Sequence, residues 1–234
     1  MRFRAVVFDA GGTLLDPLPS FHELFSTVLE GHGHHLDPEQ IREGLSTIPR
    51  RFVEAAEADE RWTTTLEGSR RFWVSVYDVF LERAGLPTGD GLQEALYETF
   101  TTLDNYALLP DVPDTLARLA DSGLTLAIVS NFEPWLDELL AHLGVRHRFA
   151  VRVISGLEGI EKPDPAIFRR ALDGLQLQAH EAVYVGDVPA FDVDPPLALG
   201  MGAVLIDRHD RYPEHAGERI RDLRELPELL GIPA

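Results

Sequence analysis

Phe3-Arg4-Ala5-Val6-Val7-Phe8-Asp9-Ala10-Gly11-Gly12-Thr13 is the stretch that decides the fold. Its apolar run is short, lacks strict alternation and ends on an acid, after which two glycines and a threonine break it. A run apolar on both faces reads as a strand buried inside a parallel sheet, and the break reads as a loop at its carboxyl end. Asp9 therefore stands where open α/β sheets bind their ligands, beyond the ends of their strands.

Downstream of this strand the pattern changes twice. From about Pro17 to Asp104 it is helical, with helices expected over Phe21–Leu29, Pro38–Ala58, Thr65–Leu86 and Gly91–Leu103. After Pro110 it alternates: helix Val112–Ala120, strand Leu124–Val129, helix Pro134–Leu143, strand Val151–Ile154. Asp164 as N-cap and Pro165 at the first helical position open a further helix to about Leu175, before strands Ala182–Val185 and Ala203–Ile206. The alternation predicts an α/β fold with a doubly wound parallel sheet, built from residues 1–16 and 105–234. Residues 17–104 form an all-helical insertion. Four polar clusters fall at strand ends and should converge on one crevice: Asp9; Ser130-Asn131; Lys162-Pro163-Asp164; and Gly186-Asp187 with Asp192.

Composition narrows the chemistry. The chain has 234 residues, 44% hydrophobic and 26% charged, which fits an ordinary globular protein with a proper core. With no cysteine there is no disulfide, thiolate metal site or thiol nucleophile, so carboxylates, histidines and hydroxyls are the reactive groups. A formal charge of −18 repels phosphate backbones and anionic lipid, which argues against nucleic acid or a membrane as partner and for a small molecule. The amino terminus lacks the apolar run of a signal peptide and no stretch approaches a membrane-spanning length, so a cytoplasmic location is expected. Oligomeric state is not legible.

At the level of motifs, Val6-Val7-Phe8-Asp9-Ala10-Gly11-Gly12-Thr13-Leu14-Leu15-Asp16 resembles the first motif of the haloacid dehalogenase superfamily, and the other three clusters resemble its remaining motifs in order. The resemblance covers residues 3 to about 206 and implies a Rossmann-like core with the insertion as a helical cap. Lysine usage agrees with it. Of 21 lysines and arginines the only lysine is Lys162, where a compact ammonium can approach a carboxylate and a phosphoryl oxygen that a planar guanidinium would crowd.

The resemblance implies roles residue by residue. Asp9 is the nucleophile that forms an aspartyl-phosphate, and Ser130 and Lys162 stabilise charge on the transferring group. Magnesium (Mg2+) would be held by Asp9, the Gly11 backbone carbonyl and Asp187, with Asp192 holding either Lys162 or a metal-bound water. Gly12 and Thr13 support the first loop, Thr13 by hydrogen bonding, and Asn131 does the same for the second motif.

One position departs from the pattern. Phosphatases of this superfamily carry a second aspartate two residues after the nucleophile, and here that residue is Gly11. The missing general acid predicts slow turnover of ordinary alkyl phosphates, unless the insertion supplies one, for which His22 is a candidate. Three activities fit: a magnesium-dependent phosphatase; a metal-independent 2-haloacid dehalogenase using Arg42, Arg50 or Arg51; or a binding protein that has lost turnover. Pro195-Pro196, where a helical turn is expected, implies a displaced helix start. His32, His34 and His35 read as an exposed turn, and Trp62 and Trp73 as packing residues. Trp135 follows the second motif closely.

Overall fold

The computed structural model describes residues 3–46, 51, 54, 55, 58, 61–89 and 91–232. The chain divides into two compact units, Met1–Asp16 with Leu108–Ala234, and Pro17–Ala107. Strand β1 (Ala5–Phe8) is followed by the short strand β2 (Leu15–Pro17), which leads into the second unit, where α1 (Phe21–Gly31), α2 (Pro38–Leu45), α3 (Leu66–Arg83) and α4 (Leu92–Phe100) follow. Strand β3 (Tyr106–Leu108) leads back, pairs with β2, and precedes α5 (Val112–Asp121) and β4 (Thr125–Ser130). Then come α6 (Leu136–His142), β5 (Val151–Ile154), α7 (Ser155–Glu158), α8 (Pro165–Leu175) and β6 (Ala182–Gly186). The remaining elements are α9 (Asp194–Ala198), β7 (Gly202–Ile206), β8 (Arg219–Ile220) and α10 (Leu226–Leu229).

The first unit is built on a six-stranded parallel sheet in the order β5-β4-β1-β6-β7-β8. Beginning at β1, the chain winds outward through β4 to β5, then restarts on the other side with β6 and continues to β8. The winding reverses beside β1, which opens a crevice at its carboxyl end. All four residues of β1 are fully buried, in keeping with a strand covered on both faces.

Helix α8 shows how local sequence sets the packing. Asp164 caps it by accepting the Ala166 amide at 2.9 Å, and Pro165 occupies the first turn, where its missing N–H costs nothing. The buried positions Ile167, Phe168, Ala171 and Leu172 recur at helical spacing and pack on Val7, Val129 and Tyr184 of the sheet. Each such large side chain contributes roughly 1.5–3 kcal/mol by leaving water.

Among the described residues the second unit contains the helices α1 to α4. Its core is aromatic: Phe21 stacks on Phe100 with ring centres 4.2 Å apart, and Phe25 lies 4.6 Å from Phe80. Trp62 and Trp73 join this cluster as packing residues, Trp62 stacked on Phe72 and Trp73 on Tyr77. The helix expected over Pro38–Ala58 is described as α2 to Leu45, and its continuation falls partly outside the described residues. Among the described residues no helix is long and apolar enough to cross a membrane.

Candidate active site

Strand ends bring the candidate residues together. Asp9 follows β1, its backbone amide donating to Val185 O of β6 at 2.9 Å, and its side chain is buried. Ser130, the last residue of β4, donates its hydroxyl to Asp9 Oδ1 at 2.8 Å. Lys162 Nζ donates to that same oxygen at 2.8 Å, and to Asp192 Oδ1 at 2.6 Å. Asn131 fixes the lysine's backbone from both sides, its Oδ1 accepting the Lys162 amide at 2.6 Å and its Nδ2 donating to the Lys162 carbonyl at 2.9 Å.

Asp192 is placed by an irregular turn. Residues Pro189–Val193 form a single π turn, in which the Asp192 amide donates to the Val188 carbonyl and its Oδ2 accepts the Val188 amide at 2.9 Å. Both carboxylate oxygens are thereby engaged, Oδ1 by Lys162 and Oδ2 by the Val188 amide, so that of its two expected roles the structure shows the holding of Lys162. Pro195 and Pro196 fall in the first turn of α9, where a proline removes no helical hydrogen bond. Gly186 is required beside this turn, because a Cβ there would strike the Asp192 carboxylate.

Asp187 brings the third carboxylate: single oxygens of Asp9, Asp187 and Asp192 all lie within 4.8 Å of one another. Gly12 makes room for it. With φ at +69° and a virtual Cβ only 2.7 Å from Asp187 Oδ2, the position admits no side chain. The Gly12 amide donates to the Leu15 carbonyl at 3.0 Å and to Asp16 Oδ1 at 3.2 Å, closing the loop. Gly11 differs. A Cβ there meets nothing within 4 Å, so the place of the usual second aspartate is open space.

The electrostatics follow from this crowding. Burial would depress the Lys162 ammonium, but Asp192 and Asp9 outweigh it and hold its pKa above the ordinary value. Burial, then Asp192 and Asp9, push Asp187 up to about 7, against the opposing pull of Arg211. A carboxylate so raised marks negative charge that the chain's own cations leave uncompensated, and a hard divalent cation with oxygen ligands fits that need. Asp9 and Asp187 are the side chains suited to hold it.

Several expectations need correction or placement. Thr13 does not tie the loop down by hydrogen bonding: its Oγ1 is buried without a partner among the described residues, and its carbonyl is engaged instead, by Arg208 at 2.9 Å. His22 lies in the first turn of α1, its Nε2 buried and without a hydrogen-bond partner among the described residues. Arg42 pairs with Glu39 at 2.6 Å on the exposed face of α2, Arg51 lies 4.8 Å over the Phe72 ring, and Arg50 falls outside the described residues. His32 Nδ1 lies 2.9 Å from the Val28 carbonyl, and His34 and His35, like His32, are not part of the acidic cluster. Trp135 donates to Glu133 at 2.9 Å and packs on Phe132.

Sequence reasoning missed three contributors. Tyr184, inside the expected strand Ala182–Val185, donates its hydroxyl to the Val129 carbonyl at 2.6 Å and accepts from Lys162 Nζ at 3.2 Å. Arg208 and Arg211, in the loop after β7, reach Thr13 and Asp187. The only available signal for the pair was two basic residues three apart directly behind a buried strand.

Fold and site define a class: a hydrolase with an aspartate at the end of the first strand of a Rossmann-like sheet. A family model described as haloacid dehalogenase-like hydrolase matches residues 3–200, and the chain belongs to that family. It is 36% identical over 162 residues to phosphoserine phosphatase of Thermus thermophilus, covering 66% of this chain and 65% of that protein. It is 31% identical to (S)-2-haloacid dehalogenase 1 of a Pseudomonas species, covering 97% and 96% of the two chains. Among solved structures it matches the HAD-hydrolase YfnB of Bacillus subtilis, solved bound to magnesium, with TM-score 0.81, 20% identity and coverage of 99% and 100%. At that identity the last likeness speaks for the fold alone.

Proposed function

We propose that this hydrolase is a magnesium-dependent phosphatase of a small phosphorylated metabolite, working through an aspartyl-phosphate on Asp9, with the helical insertion as its cap domain. The observation that carries this reading is the approach of single oxygens of Asp9, Asp187 and Asp192 to within 4.8 Å of one another, a concentration of negative charge that a divalent cation would neutralise.

Ser130 and Lys162 both engage Asp9 Oδ1, which leaves Oδ2 as the attacking oxygen. Oδ2 bonds to phosphorus as the bond to the leaving oxygen breaks in line, and water then hydrolyses the acyl phosphate and restores the carboxylate. Ser130 and Lys162 donate to the charge developing on the phosphoryl oxygens, and Asp192 keeps the ammonium aimed. When bound, magnesium would be held by Asp9 and Asp187, with the Gly11 carbonyl as a further oxygen, and would neutralise phosphoryl charge. Gly11 offers no proton to the leaving group, so good leaving groups are the expected substrates. The test is hydrolysis of p-nitrophenyl phosphate and acetyl phosphate with and without magnesium; absence of metal-stimulated turnover that Asp9→Asn abolishes would refute this reading.

Dehalogenation is the second reading, favoured by the open space at Gly11 and by the dehalogenase relative. A halide leaves without a proton, so Asp9 could displace it from a 2-halo acid and form an ester. Chloride release from 2-chloropropionate in EDTA would support this reading, and binding of magnesium and phosphate without turnover of either substrate class would point to a lapsed enzyme.

A further inference from the structure

The loop that follows β7, residues 207–212, touches the site from two directions. Asp207 is fully buried and organises the loop: its Oδ1 accepts the Arg211 amide at 2.8 Å, and its Oδ2 accepts the Tyr212 amide at 2.9 Å and Arg219 Nη1 at 2.9 Å. An aspartate that accepts backbone amides four and five residues ahead fixes the curvature of the turn between them. Two arginines leave this turn in different directions.

Arg208 Nη1 donates to the buried Asp111 at 2.7 Å, which itself accepts the Leu223 amide at 2.7 Å, while Arg208 Nη2 donates to the Thr13 carbonyl at 2.9 Å. The loop that carries Asp9 and Gly12 is thereby anchored to α5 and to the carboxyl-terminal segment. Arg211 Nη2 donates to Asp187 Oδ2 at 2.8 Å, on the side of the carboxylate that also lies against Gly12. Asp187 thus has one oxygen pinned by a guanidinium and placed against a backbone free of a Cβ. The buried Asp207 shapes the turn that carries Arg211, while Arg208, the next residue after it, reaches the loop of Asp9.

We propose that residues 207–212 are a fifth element of the active site, in which Arg208 and Arg211 are positioning residues, Arg208 for the Asp9 loop and Arg211 for Asp187. Neither touches the reacting atoms. The inference rests on the proposed cation site only in what Asp187 is positioned for. Partners that orient a ligating carboxylate usually matter about 10–100-fold in metal affinity or activity.

Arg211, with its half-exposed side chain, is the residue to test, since Arg208→Met would leave the buried Asp111 without its ion pair and risks misfolding. The experiment compares the unmodified chain with Arg211→Met, Arg211→Lys, Asp187→Asn and, as an exposed control, Arg224→Met. Equilibrium Mn2+ binding is followed by electron paramagnetic resonance without substrate, alongside thermal melting and p-nitrophenyl phosphate kinetics. The expected result is Mn2+ affinity about 10-fold weaker in Arg211→Met, a fall in kcat with a substrate KM changed less than about threefold, partial recovery in Arg211→Lys, and melting temperatures like that of the control. Unchanged or tighter Mn2+ binding in Arg211→Met would overturn the assignment, as would a loss confined to KM, which would make Arg211 a substrate contact. Should the unmodified chain bind Mn2+ yet hydrolyse no phosphate, the phosphatase reading falls while the Mn2+ comparison still decides the role of Arg211. Should it bind no Mn2+, the positioning of a metal ligand by Arg211 falls as well.

Discussion

Lys162 Nζ and Asp9 Oδ1 lie 2.8 Å apart, both side chains almost wholly enclosed, and the same Asp9 oxygen accepts from Ser130. In the proposed reaction Asp9 is thus held by one oxygen and attacks with the other. Lys162→Arg is expected to fail in this space, because a planar guanidinium cannot occupy the place of a compact ammonium between Asp9, Asp192 and Tyr184. Lys162→Met should lower kcat about 10²–10³-fold and should also destabilise the fold by about 3–5 kcal/mol, since two buried carboxylates lose their cation. Steady-state kinetics beside chemical denaturation separates the two effects; an active, fully stable Lys162→Met would contradict the assignment.

Gly11 and Gly12 are adjacent and should respond oppositely. An aspartate at position 11 meets open space, so Gly11→Asp is expected to fold normally and to raise turnover of alkyl phosphates by up to about 10²-fold. The gain on p-nitrophenyl phosphate should be smaller, because that leaving group needs less help. Equal gains on both substrates would show that proton transfer is not what limits the enzyme. Gly12→Ala, at φ +69° and against Asp187, should cost about 1–2 kcal/mol in stability and weaken metal binding.

Asp187 gives the site a pH signature. Its folded pKa of about 7 lies above the ordinary 3.8 of a free aspartate, so between those values the folded chain binds more protons than the unfolded one. The contribution of this group to stability in EDTA is therefore full below about pH 4 and is lost as pH rises through about 7. Magnesium needs the ionised form, so its apparent affinity should weaken up to about tenfold per pH unit below 7. Melting curves from pH 5 to 8 should show a magnesium-induced rise that grows with pH and levels off above 7. The same rise at pH 5 and pH 8 would rule this out.

Thr13 offers a test of its buried, unpartnered hydroxyl. Thr13→Val removes a polar group that has given up water without replacement, and should leave the fold as stable or stabilise it by about 1 kcal/mol. A marked loss of stability would mean that the hydroxyl has a partner after all.

How far these features were legible in the sequence depends on how each signal is built. Asp9 and Asp187 were legible because each directly follows a buried strand, and Ser130 because it ends one, strand ends sharing one edge of a parallel sheet; Lys162 follows β5 only after the short helix α7 and was legible as the sole lysine. The expected strand Val151–Ile154 coincides with β5, and Asp164 caps α8 as its position before Pro165 implied. Arg219–Ile220 was not foreseen as a strand, since two residues carry no period. Tyr184 was hidden because an aromatic inside an apolar run reads as core, and its hydroxyl finds Val129 only across the sheet. Arg208 and Arg211 were hidden for a similar reason: polar residues after a strand read as solvated loop, and their partners Thr13 and Asp187 are distant in sequence.

The sole lysine has a practical corollary. Lys162 is 3% exposed and saturated with acceptors, so the folded chain presents no side-chain amine to acylating reagents, crosslinkers or ubiquitin-conjugating enzymes. Modification of that amine would have to wait for the nucleophile's surroundings to open, and labelling at this one position would therefore clock the opening of the catalytic centre itself.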